Sequence, residues 1–129
     1  MNRSQSQAVA SRTVLVVADD LIWASRLTGA VERAGASSHV VRTLDELEAC
    51  CAGDAPRTVI VDLAGRAFDG VAAVRMAATK GATVLGVGKH EDAELRRRAL
   101  AAGARRVLSY NKLFADGPQV VAALLAGRY

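Results

Sequence analysis

The sequence predicts an α/β domain, a (βα)5 doubly wound parallel sheet with strand order 2-1-3-4-5. Three observations carry that prediction. Five short apolar runs rich in β-branched residues alternate with five segments whose apolar residues recur at helical spacing. The connections are short, so right-handed crossovers must return parallel strands and leave helices on both faces. The first and third runs both end in Asp, and in a sheet of this order those strand ends are neighbours at the switch point.

The elements follow in order. Residues 1–11 are small and polar without periodicity and are expected to form a disordered tail ahead of a single domain over 12–129. Thr13 to Ala18 reads as a buried strand followed at once by Asp19 and Asp20. Leu21 to Ala34 places Leu27, Ala30, Val31 and Ala34 at helical spacing and stops at Gly35. Ser38 to Arg42 is a short strand, and Thr43 to Glu46 has the Thr-x-x-Glu spacing of a capping box for a helix ending near Ala52. Thr58 to Val61, bounded upstream by Pro56, delivers Asp62 to a sheet edge; after a loop, Asp69 can cap a helix running to Lys80. Ala82 to Val87 is the fourth strand, Asp92 to Ala102 the fourth helix, and Arg106 to Tyr110 the fifth strand. Gly117-Pro118 is expected to open the last helix, with Pro in the first turn.

A chain of 129 residues, 51% of them hydrophobic, can bury about two thirds of its unfolded surface in one core. No apolar run approaches the roughly 20 residues that span a bilayer, and the first residues lack an export signal, so no membrane contact and a cytoplasmic location are expected. The adjacent Cys50 and Cys51 are poorly spaced for a regular disulfide or a tetrahedral metal site, and free thiols are expected. Of 17 basic residues, 14 are Arg, and Arg96, Arg97, Arg98, Arg105 and Arg106 are clustered. Such a face suits an acidic protein, a nucleic acid, or water alone.

Carboxylates gathered at a strand-end crevice repel one another, so their presence points to a hard cation or a nucleophilic acid. A nucleotide enzyme is disfavoured. Gly86-Val87-Gly88-Lys89 lacks the further Gly and the Ser or Thr of a phosphate loop, Thr83 and His90 standing there instead. His39 and His90 have no partners at catalytic spacing.

The order of acids, with Asp69-Gly70 seven and eight residues after Asp62 and Ala101-Ala102-Gly103-Ala104 before the fifth strand, resembles the CheY-like receiver domain of two-component response regulators from residue 13 to about 127. The resemblance implies a flavodoxin-like sheet, Asp62 as the candidate phosphoacceptor, and Mg²⁺ held by the acids after the first strand. The chain departs from that pattern at several positions. Counted without gaps, the family's acid pair falls on Ala18 and Asp19, with Asp20 next, so Mg²⁺ is expected to bind only weakly through Asp19 and Asp20, and no other cofactor is expected. The family's Ser or Thr after strand four falls on Gly88, and its Lys-Pro after strand five on Tyr110-Asn111. Lys89 is one replacement candidate for contact with a phosphoryl group; Lys112 is another, since extended backbone would place it on the face of Tyr110. Val107 replaces the family's switch aromatic, and Gly65-Arg66 its Met-Pro.

The resulting expectation is an atypical receiver domain of two-component phosphorelay signal transduction. It would be a protein-interaction module rather than an enzyme, with phosphorylation of Asp62 weak or lost. Its partners would be a histidine kinase or downstream effector, or a second copy of the chain, meeting Arg96, Arg97, Arg98, Arg105, Arg106 and Tyr110. The alternative is a basic nucleic-acid-binding module using the Arg96–Arg106 cluster. Few aromatics accompany those arginines, so stacking on single strands has little support.

Overall fold

A computed structural model describes residues 13–53 and 57–129; the expected tail and Pro56 lie outside them. Five parallel strands, β1 (Thr13–Val17), β2 (Ser37–Val41), β3 (Thr58–Asp62), β4 (Thr83–Gly88) and β5 (Arg106–Ser109), form one sheet in the order β2-β1-β3-β4-β5. Between and after them run α1 (Leu21–Arg33), α2 (Leu44–Cys50), α3 (Gly70–Thr79), α4 (Ala93–Ala101) and α5 (Tyr110–Leu125). No helix among the described residues is long and apolar enough to cross a membrane.

The strands read as continuous apolar runs because both sheet faces are covered. Side chains alternate across the sheet, so Val14 and Val16 enter a core with Leu27 and Val31 of α1 and Val120, Val121 and Leu124 of α5. Leu15 and Val17 enter the other, with Leu47 of α2, Val74 and Ala77 of α3 and Ala99 of α4. Both cysteines are free, and Cys51 is buried in that second core.

Side chains at the helix starts accept the free backbone N–H groups. Asp20 accepts from Ile22 and Trp23, Asp69 from Val71 and Ala72, Asp92 from Leu95, and Thr43 from Glu46. Glu46 reaches back to the Arg42 N–H at 3.3 Å, one residue earlier than the ideal capping box.

The last helix corrects the sequence reading. It starts at Tyr110, not at Gly117, because Ser109 leaves β5 as an N-cap that accepts from the Lys112 N–H at 3.1 Å. The helix is broken at Asp116 (φ −127°, ψ 24°), and Pro118 sits in the first turn beyond, where its missing N–H is harmless. Gly117-Pro118 therefore opens the second half of α5.

Gly70 brings α3 against the Asp62 loop. A Cβ there would lie 2.8 Å from both the Cα and the carbonyl oxygen of Leu63, and backbone cannot move aside cheaply. Gly70→Ala should lower stability by about 1–3 kcal/mol in urea unfolding. Gly88→Ala, whose Cβ would meet only Leu63 side-chain atoms at 3.7 Å, should change it much less.

Candidate functional site

The register brings the carboxyl ends of β1, β3, β4 and β5 to one edge. Val17 pairs with Val61, Asp62 with Val87, and Gly88 with Ser109. Asp19 and Asp20 follow β1, Asp62 ends β3, Lys89 follows β4 and Tyr110 follows β5. An open cleft of about 470 Å³ at this edge is lined by Asp19, Asp20, Asp62, Trp23, Arg66, Lys89 and Tyr110 together with Ala64. The expected convergence of the three acids is present.

Asp62 is 2% exposed, the one buried charged side chain among the described residues. Burial pushes its carboxyl above the usual range. Hydrogen bonds from the Tyr110 hydroxyl and the Ala64 N–H pull it back, and the charges of Asp19 and Asp20 add to the rise. Both hydrogen bonds fall on Oδ1, the one from Ala64 at 3.2 Å and the one from Tyr110 short. Burial, and then that bond to Asp62, push the Tyr110 phenol well above its ordinary pKa.

The other two acids also hold backbone. Asp19 Oδ2 accepts the N–H groups of Arg66 and Ala67 at 3.0 and 2.6 Å, tying the loop after β3 to the end of β1. Asp20 Oδ1 accepts from Ile22 and Trp23 at 2.9 and 3.0 Å as the cap of α1. Ala18, where the resemblance placed an acid, is fully buried. Each carboxylate thus has an oxygen committed to hydrogen-bond donors, and no group of three His, Cys, Asp or Glu side chains among the described residues is arranged to hold a metal ion. Mg²⁺ is ordinarily held by one or two carboxylates with waters completing the octahedron, so what this set could offer it is the second oxygen of each acid, Asp19 Oδ1, Asp20 Oδ2 and Asp62 Oδ2.

The phosphoryl-contact candidates separate. Lys89 lines the cleft. Gly88, paired in β4, brings no side chain to it. Lys112 does not reach it: its ammonium pairs with Asp116 at 2.8 Å and senses Tyr129 and Arg106 on another face. The extended backbone assumed for Tyr110 to Lys112 is helical, which separates these two side chains by about 200° around the axis.

Tyr110, expected among the partner-binding residues, lines the cleft. Its ring packs on Trp23 with centroids 4.1 Å apart, tilted by 30°. Sequence reasoning missed both the hydroxyl on Asp62 and this stack. The available signal was Ser109, a good N-cap that starts a helix one residue after the strand and so fixes where Tyr110 points.

No protein-family model and no curated protein matches the chain. Solved structures do. The receiver domain of NtrX from Brucella abortus superposes with a TM-score of 0.74 at 23% identity, covering 90% of this chain and 99% of that one. A response regulator receiver protein from Burkholderia phymatum gives 0.71 at 28% identity, covering 88% and 94%. A Burkholderia pseudomallei response regulator, solved with a phosphorylated aspartic acid, calcium ion and citrate, gives 0.72 at 18% identity, covering 91% and 70%.

This chain has the response-regulator receiver fold. On the α4–β5–α5 face of the receiver fold Arg97 and Arg98 are exposed and Ala99 is buried, while Leu100 is 45% exposed. Several arginines of the face are already engaged. Arg97 forms a two-pronged pair with Glu94 at 3.0 and 2.6 Å, Arg105 donates to the Tyr129 carbonyl at 2.7 Å, and the Arg106 guanidinium lies 4.8 Å from the Tyr129 ring centroid. Arg96 is half-buried, with its Nε lacking a partner among the described residues.

Proposed function

We propose that this receiver-fold chain is a signalling module that acts by binding an acidic protein surface, that it is not an enzyme, and that phosphoryl transfer to Asp62 is slow or absent. The observation that carries this reading is the Tyr110 hydroxyl hydrogen-bonded to Asp62 Oδ1, at the position where the resemblance expects an ammonium. A phenol there occupies the acceptor oxygen and supplies no positive charge to a phosphoryl group. Charge-assisted hydrogen bonds contribute about 1.5–3 kcal/mol each, so losing two slows transfer by roughly 10²- to 10⁴-fold. Asp19 and Asp20 support the same reading, since both brace backbone.

The binding surface would be the arginine face, with Arg98 the most available charge and Arg97 exchanging Glu94 for the partner's carboxylates. With phosphoryl transfer to Asp62 slow or absent, binding at this face would not wait on it and would be constitutive. The test combines acetyl phosphate labelling, read by intact mass, with capture of a signalling partner by wild type and by the Arg97→Glu, Arg98→Glu double variant. Negligible labelling, capture unchanged by the phosphodonor, and weaker capture by the double variant are expected. Stoichiometric labelling, or capture only after labelling, overturns the proposal; steeply salt-dependent binding to any DNA or RNA would favour the nucleic-acid alternative.

Mg²⁺ binding should be correspondingly weak. Trp23 lines the cleft beside Asp19 and Asp20, so its fluorescence reports the site directly. No saturable change is expected below millimolar Mg²⁺. A saturating change there, abolished in Asp19→Asn, would revive a working acceptor.

A further inference from the structure

Arg97, Lys112, Arg105 and Arg106 are each met by a group of this same chain, and those groups describe what the surface accepts. Arg97 holds the Glu94 carboxylate at two points, and Lys112 holds that of Asp116 at 2.8 Å. The two arginines entering β5 instead share Tyr129. The Arg105 guanidinium donates to its carbonyl oxygen at 2.7 Å, while that of Arg106 lies 4.8 Å from its ring centroid. Lys112 is within electrostatic range of both Tyr129 and Arg106, so an aromatic ring sits here in a cationic setting. The stand-ins are carboxylates and one aromatic residue.

The backbone independently places Tyr129 at that point. Beyond the last residue of α5, Leu125, Gly127 adopts a φ of 73°. Its N–H donates to the Leu124 carbonyl at 3.2 Å, and the Arg128 N–H donates to that of Ala123 at 3.0 Å. This pair of bonds turns the chain sharply at the helix end and brings Tyr129 back to the arginines at the start of β5. A Cβ at Gly127 would meet none of the described residues within 4 Å, so the glycine is needed for its left-handed backbone rather than for space.

The seat is loose enough to be vacated. Arg105 and Arg106 are exposed and the Tyr129 ring is only half-buried, at the margin of the core that α5 covers. Contacts of exposed guanidinium groups are individually weak, so a stronger acidic ligand can displace them. Resting on the arginine face as the binding surface, we propose that Arg105 and Arg106 form a subsite for an aromatic side chain flanked by carboxylates on an acidic partner protein, and that Tyr129 fills this subsite in the free chain as an autoinhibitory stand-in. The partner's affinity is then lowered by the fraction of time that Tyr129 is seated.

The probes are a random copolymer of Glu and Tyr and a poly-Glu of matched length, each titrated against the full chain. The copolymer is expected to bind about tenfold more tightly than poly-Glu, and Tyr129→Ala to tighten it about tenfold further. Arg106→Gln should remove the difference between the two polymers. On saturation with the copolymer, the Tyr129 backbone amide should move to a disordered position in NMR spectra. Gly127→Val strains the turn and leaves the ring and both arginines in place, so it should act in the same direction as Tyr129→Ala. If Tyr129 only packs, both variants lower the thermal midpoint without any gain in affinity, and the proposal fails. It fails also if the two polymers bind alike in wild type and variants, or if poly(U) rather than the copolymer displaces Tyr129. Copolymer binding that is weakened by Arg97→Glu with Arg98→Glu but indifferent to Tyr129→Ala overturns the subsite and leaves the arginine face standing. Binding of neither polymer overturns both.

Discussion

Tyr110→Phe lowers stability at neutral pH by about 1.5–3 kcal/mol and raises acetyl phosphate labelling of Asp62. The substitution keeps the ring that stacks on Trp23 and removes only the hydroxyl that donates to Asp62 Oδ1. A hydrogen bond to a buried carboxylate is worth that much because the alternative is a desolvated charge held by the Ala64 N–H alone. The loss depends on pH in a defined sense. The hydroxyl holds the Asp62 pKa below the level that burial alone would impose, so its contribution is complete where the carboxylate is ionised and fades as pH falls through the folded-state pKa. Urea unfolding at neutral and acidic pH therefore gives a large difference between wild type and variant at the first and a small one at the second. Equal stabilities at neutral pH would show that the phenol is a bystander. Labelling unchanged in the variant would show that the missing charged groups, rather than the occupied oxygen, limit phosphoryl transfer.

Asp62→Asn has the opposite sign. Burial raises the pKa of Asp62 in the folded protein above its unfolded value, so the carboxylate's cost is absent below the unfolded pKa and grows as pH rises through the folded one. An amide is neutral throughout, keeps an oxygen for Tyr110 and Ala64, and ends the repulsion from Asp19 and Asp20. The expected gain at neutral pH is on the order of 1 kcal/mol, shrinking toward zero as pH approaches about 4. Asp62→Ala should gain less or lose, because it leaves the half-buried Tyr110 hydroxyl without its acceptor, a deficit of about 1–3 kcal/mol. Denaturant unfolding of both variants across pH separates the charge from the hydrogen bond. If Asp62→Asn is less stable than wild type by more than about 2 kcal/mol, Asp62 is a structural acceptor rather than a desolvated acid.

The legible part of this protein followed from local rules. Continuous apolar runs such as Thr58 to Val61 reported strands covered on both faces, and Asp69 and Thr43 announced their helices because an N-cap acts within three residues. The three-residue stretch Arg96 to Arg98 had to expose at least two side chains, and it exposes Arg97 and Arg98. Even the meeting of Asp19, Asp20 and Asp62 could be anticipated, since alternating strands and helices with short loops leave few topologies open.

What the carboxylates meet was not legible. Tyr110 reaches Asp62 across 48 residues of sequence, and the Arg66 and Ala67 amides reach Asp19 across 47 and 48. Lys112 faces away from the cleft because the helix begins at Tyr110 rather than Gly117, so side chains two residues apart, which extended backbone would put on one face, lie about 200° apart. The sequence by itself determined the sheet, its order and the edge at which the acids gather, because those depend on patterns of burial that repeat along the chain. Only the tertiary structure decided that Tyr110 covers Asp62, that Asp19 and Asp20 brace backbone, and that Tyr129 meets Arg105 and Arg106, because single contacts between distant residues depend on side-chain directions that no repeating pattern encodes.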